Sequence, residues 1–184
     1  MAEILSLRPL RKWIIMAAGR YYFDPYLIAA FCKVESDYNT WAVRYEPEYR
    51  WLYGDVRAMS PTERKSQMMS YGLMQIMGAV ARERGFKERY LTQLCTPSIG
   101  ITFGVKHLAW LRDSKGYSGD DLISAYNQGS PRRLKIKESS VGVSPDAKYA
   151  EYKNQHYVDK INSVYQGLVE KRVFSPNSSP ISVA

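Results

Sequence analysis

Four of the nine prolines in this chain stand directly behind a residue suited to cap a helix: Asp24-Pro25, Ser60-Pro61, Thr96-Pro97 and Ser144-Pro145. Proline fits the first helical position because its missing N–H would have no partner there. Asp, Ser or Thr before it can accept from the exposed first-turn amides. Each pair therefore predicts a helix start, with Ser144-Pro145 opening the last helix. Runs of apolar period two are nearly absent, so the chain is predicted to be mainly α-helical.

Leu7, Leu10, Ile14, Ala17 and Tyr21 recur at three and four residues and predict a first helix ending near 19–22. In the second helix, Ile28, Phe31, Cys32 and Glu35 fall at i, i+3, i+4 and i+7, so a carboxylate completes an otherwise apolar stripe. A carboxyl there either reaches water at the stripe's edge, meets a cation, or is pushed toward its protonated form by burial. Residues 41–70 carry Trp and Tyr among charges, with helix signals at 48–53 and 61–69, the latter behind a Ser60/Glu63 capping box. This excursion lies beside a cleft or forms a satellite packing element.

Residues 70–81, SYGLMQIMGAVA, place Leu73, Ile76, Met77 and Val80 on one helical face, with Gln75 needing a partner for its amide. Pro97 predicts a helix to about Arg112, in which Gly100 and Gly104 permit close approach of another backbone and His107 is structural. Ser118 and Asp121 begin a helix that should stop at Gly129, which puts Tyr126 and Asn127 in its last turn. Residues 132–143 read as a loop. Tyr152, Tyr157, Ile161, Val164 and Leu168 mark the amphipathic last helix, and the tail from about Phe174 is expected to be disordered.

A chain of 184 residues supports one buried core and is short for two ordinary domains. Its 45% hydrophobic content excludes a wholly disordered chain. The 15 tyrosines suit either a groove that contacts a polar polymer or the rim of the core. A net charge of +8 draws the protein toward polyanions, among them nucleic acid, anionic lipid and an acidic cell wall. No Lys/Arg run exceeds two residues and no nucleic-acid motif is present, so specific nucleic-acid binding is not expected. Cys32 and Cys95 lack metal-ligand spacing and read as buried free thiols. The apolar run Trp13–Ala18 is too short for a transmembrane segment or a secretion signal.

Four segments in order, VESDYN at 34–39, GLMQIM at 72–77, AYNQG at 125–129 and HYVDKI at 156–161, resemble the soluble lytic transglycosylases related to goose-type lysozyme. The resemblance implies a single lysozyme-like helical domain over 1–173 with a substrate cleft. It implies a peptidoglycan glycan strand as substrate, no metal or organic cofactor, and a monomer. By position, Glu35 corresponds to the catalytic acid, and Gln75, Met77, Tyr126, Asn127 and Tyr157 to substrate-binding residues, with Ser36, Arg44 and Tyr45 as further cleft candidates. Arg44 departs from the family pattern, which commonly holds a serine there for the sugar's acetamido group. The long 41–70 excursion resembles phage-type members. A phage or virion origin, or a bacterial protein delivered to the wall by another route, is consistent with the missing signal. A hydrolytic muramidase and a non-catalytic wall-binding or virion-binding module are the alternatives on this fold.

Overall fold

The computed structural model describes residues 7–134 and 151–174, and among these it has seven α-helices and one small sheet. Helix α1 (Arg11–Tyr21) follows a 3₁₀ turn at Arg8–Leu10 and ends where Tyr22 enters the left-handed region at φ 58°. Asp24 then caps α2 (Pro25–Ser36), its Oδ1 accepting from Tyr26 N at 2.9 Å. After strand β1 (Val43–Tyr45) come α3 (Pro61–Gln67), β2 (Met69–Tyr71), β3 (Ile76–Met77) and α4 (Gly78–Glu83). Helices α5 (Pro97–Lys115), α6 (Gly119–Gln128) and α7 (Gln155–Glu170) complete the fold.

The main core lies where α2 packs on α7 and α1 on α5. Ile14, Ile28, Phe31, Ile101, Leu108 and Ile161 are each 0% exposed there. Burial of side chains of this size contributes about 1.5–3 kcal/mol each. A second, smaller core of Tyr71, Ile76, Phe86, Leu91 and Leu94 lies under the antiparallel sheet, whose order is β1-β2-β3. Arg44 pairs with Ser70, and Ser70 with Met77, so these three side chains share one sheet face.

Three local expectations fail for physical reasons. Residues 70–81 do not form one helix: the chain runs strand, turn, strand and only then helix. Leu73 and Met74 plug the main core while Tyr71 and Ile76 fill the smaller one, and burial in two directions imitates a single helical face. Residues 48–53 are not helical, because the backbone of Tyr53 is clamped by the buried amide of Gln67. Tyr53 N donates to Oε1 at 2.7 Å and Nε2 donates to Tyr53 O at 3.0 Å. The last helix begins at Gln155 behind Asn154, and Ser144-Pro145 falls outside the described residues.

The Ser60/Glu63 box forms only in half. Ser60 Oγ accepts from Glu63 N at 3.1 Å, but the Glu63 carboxylate meets Arg82 instead, Nε to Oε1 at 2.7 Å and Nη2 to Oε2 at 3.0 Å. That bidentate pair ties α3 to α4. Phe174 packs edge-on against Tyr26 at 5.0 Å, and the remainder of the expected tail, together with most of the 132–143 loop, lies outside the described residues. No helix among the described residues is long and apolar enough to cross a membrane.

Gly100 admits the backbone of the Leu91–Cys95 turn: a Cβ there would stand 2.3 Å from Leu94 O. Gly104 instead faces the Met74 side chain, and a Cβ there would stand 2.5 Å from its Sδ. Gly19, exposed near the end of α1, has nothing within 4 Å. Gly100→Ala is therefore expected to lose about 1–3 kcal/mol in urea unfolding. Gly19→Ala should gain roughly 0.5–1 kcal/mol in the same measurement.

Candidate active site

Glu35 sits in the last turn of α2, one turn beyond the fully buried Phe31 and Cys32. The helix stops because Asp37 and Tyr38 both adopt positive φ, 53° and 61°. Opposite this end lies the 72–75 turn, closed by Gln75 N donating to Gly72 O at 3.2 Å. Gly72 has φ +66°, and a Cβ on it would stand 2.5 Å from Leu94 O, so both conformation and space require glycine there. Gln75 takes φ 45°, which a side chain tolerates only when the surroundings hold it. Its own amide supplies the hold. Nε2 donates to Ala42 O at 3.0 Å and Gly72 O at 2.9 Å, while Oε1 accepts from Ser70 Oγ at 2.8 Å.

Two consecutive carbonyls of this turn are anchored from different helices. Ser36 Oγ contacts Leu73 O at 2.9 Å, and Tyr126 Oη donates to Met74 O at 2.8 Å. Ser36 thus fastens the end of α2 to the turn and lies behind the cleft, outside its lining. Tyr126 lines the cleft and packs on Phe31, ring centroids 4.8 Å apart. His107 supports its other side at 5.6 Å; burial and the nearby Arg84 charge push that imidazole down to about 3, so it stays neutral.

Tyr157, near the start of α7, donates its phenolic proton to Glu35 Oε1. Burial raises the Glu35 carboxyl to about 6 against an ordinary 4.5. The Tyr157 hydrogen bond and the charges of Arg44 and Lys160 pull in the opposite direction and keep the rise moderate. Burial and the Glu35 charge hold Tyr157 and Tyr126 well above the usual phenol range, so both stay protonated. No other hydrogen bond reaches the Glu35 carboxyl among the described residues, so its Oε2 is left for a ligand.

The cleft above Glu35 has a volume of about 330 Å³ and brings together Gln75, Met77, Tyr126, Asn127 and Arg44. Asn127 is exposed at the end of α6, and its Oδ1 accepts from Asn154 Nδ2 at 3.0 Å. Asn154 is itself buried and fixed by Ser124, whose Oγ donates to its Oδ1 at 2.8 Å. The far wall comes from the 41–70 excursion, with Glu46, Glu48, Tyr49 and Trp51 lining the cleft and the last two rings in edge contact at 5.6 Å. Strand alternation turns Tyr45 away from it; Tyr45 Oη accepts from Lys65 Nζ at 2.8 Å on the other side of β1.

Sequence reasoning missed Asn154, Ser124, Tyr49 and Trp51 as parts of this site. Asn154 carried a usable signal, an N-cap residue type directly before an amphipathic run. Ser124 meets Asn154 across 30 residues, a contact that no local pattern marks, and Tyr49 and Trp51 lie in the aromatic 41–70 excursion, whose composition did not single them out.

The Transglycosylase SLT domain family matches residues 12–148 of the chain. The match covers Glu35, the 72–75 turn and the end of α6, and stops short of Tyr157.

The folded chain binds the Glu35 proton more tightly than the unfolded chain, so this group's contribution to stability falls as pH rises from 4.5 through about 6, while that of His107, held neutral in the fold, rises over the same window. Glu35→Gln removes the charge and keeps an acceptor for Tyr157. The variant is expected to be more stable than wild type by about 1–2 kcal/mol near pH 8, the difference closing below pH 4.5, in urea titrations at both pH values.

Proposed function

Because this chain belongs to the transglycosylase SLT family, lytic transglycosylases acting on peptidoglycan, we propose that it cleaves the MurNAc–GlcNAc β-1,4 bond with Glu35 as sole acid and base. The observation that carries this reading is a cleft carboxyl held near neutrality, with one oxygen fixed by Tyr157 and the other left for substrate. General acid catalysis works best when the pKa lies near the operating pH.

In the proposed reaction, protonated Glu35 donates to the glycosidic oxygen as the bond to C1 breaks, and the substrate's 2-acetamido group assists at C1, an arrangement that dispenses with a second carboxylate. The carboxylate so formed takes the proton of the muramyl C6 hydroxyl as that oxygen bonds to C1. The product is a 1,6-anhydro sugar, and no water is consumed. Asn127, with Oδ1 held by Asn154, offers its amide donors to the acetamido carbonyl. Gln75 has both amide donors committed to backbone carbonyls, of Ala42 and Gly72, so what it offers the sugar is an acceptor. Met77 and Trp51 give apolar walls. The domain is taken as continuous through α7, since Tyr157 completes the site, and the length of the 41–70 wall supports grouping with phage-type members.

Glu46 and Glu48 line the same cleft, which favours hydrolysis as the second reading, with one of them activating water. Mass spectrometry of released muropeptides separates the two: anhydro ends are expected, and reducing ends would overturn the lyase reading. Glu35→Gln is expected to lower turnover on purified peptidoglycan by about 10²–10⁴-fold. Retained activity would remove Glu35 from the chemistry. Tyr157→Phe removes a hydrogen bond that favours the carboxylate, so the Glu35 pKa should rise above about 6 and the alkaline limb of the pH–rate profile should move upward.

A further inference from the structure

Arg44 is the one cation among the described residues that line the cleft. It lies on the cleft face of β1, paired across the sheet with Ser70, and its side chain is 67% exposed. Its Nε donates to Glu46, and neither Nη makes a hydrogen bond among the described residues. Glu46 therefore fixes the guanidinium along one edge and leaves the Nη1/Nη2 fork for a ligand. An arginine fork matches a planar carboxylate, which it binds through two parallel hydrogen bonds. Prior anchoring by Glu46 reduces the side-chain freedom lost on binding. Arg44 and Glu35 line the same cleft, and the guanidinium charge favours the Glu35 carboxylate.

Resting on the reading of this cleft as a peptidoglycan site, we infer that the Arg44 fork receives a carboxylate of the muramyl side group and selects strands that carry one. Two sources share that chemistry. In unsubstituted strands the lactyl ether ends in a free carboxylate, whereas in substituted strands that group is an amide and the carboxylates belong to the attached peptide. The neutral serine expected at this position from the family pattern would make no such selection. Glu46 and Glu48 add negative charge to the cleft, so a ligand carboxylate is accepted only where the fork offsets it.

The test is equilibrium binding, read by tryptophan fluorescence near pH 5, where Glu35 carries its proton. The probes are the GlcNAc–MurNAc disaccharide, its lactyl methyl ester, a disaccharide-peptide and the same molecule with its peptide carboxylates amidated. Wild type is expected to bind one acid form about tenfold more tightly than its blocked partner, the scale of one charge-assisted pair in a solvated cleft. The pair that shows the preference identifies the source. Arg44→Gln should abolish it and Arg44→Lys should keep part of it, with unfolding midpoints confirming that both variants fold. A wild type indifferent to blocking in both pairs, or an Arg44→Gln variant with the wild-type preference, overturns the inference while sugar binding still supports the cleft. Failure of all four probes to bind overturns the reading of the cleft and the inference with it.

Discussion

The 72–75 turn is the constraint on which the site depends. It carries Leu73 and Met74 into the main core, where they are 1% and 0% exposed, and it presents its carbonyls to Ser36 on α2 and Tyr126 on α6. Two helices far apart in sequence are thereby referenced to the same few backbone atoms. The geometry works only because Gly72 accepts the Leu94 carbonyl at close range and Gln75 holds its own unfavourable φ with three hydrogen bonds. Strain at such a position persists when the surroundings over-determine it, and here they do.

Around this frame the electrostatics are balanced and not extreme. Desolvation lifts the Glu35 carboxyl, and a phenol and two cations limit the rise to about 6. A fully apolar pocket would lock the proton on; an exposed one would let it go. The far wall of the cleft is pinned separately, by the Gln67 amide clamp on Tyr53 and by the Arg82–Glu63 pair behind it.

Much of this was legible in the sequence, and what was not has a common cause. Helix starts at Pro25, Pro61 and Pro97 and the stop at Gly129 follow from local chemistry, Asp24 and Ser60 capping the first two while at Pro97 the proline acts without a side-chain cap from Thr96. The stripe ending in Glu35 is equally local. By contrast, the small sheet hides inside a pattern that counts as helical, because Leu73 and Ile76 belong to different cores. Tyr45 and Arg44 are neighbours in sequence and part company on a strand that no alternation announced. The support of Asn127 by Asn154 spans a segment whose helix start was placed too early. Local signals specify elements; which polar groups then meet depends on tertiary packing.

The engagement of only one oxygen of Glu35 by Tyr157 has a consequence for the order of events. If a single free oxygen gives a proton to one substrate atom and takes one from another, both atoms must visit the same point in turn. The carboxyl is held at its helix end and by its phenol, so in the proposed lyase reaction the relocation would fall to the sugar, which would have to carry its own C6 hydroxyl inward as the leaving strand vacates that point. Departure of one half of the substrate would then be a precondition for closing the ring on the other, and a leaving strand that lingered would slow the second proton transfer without touching the first.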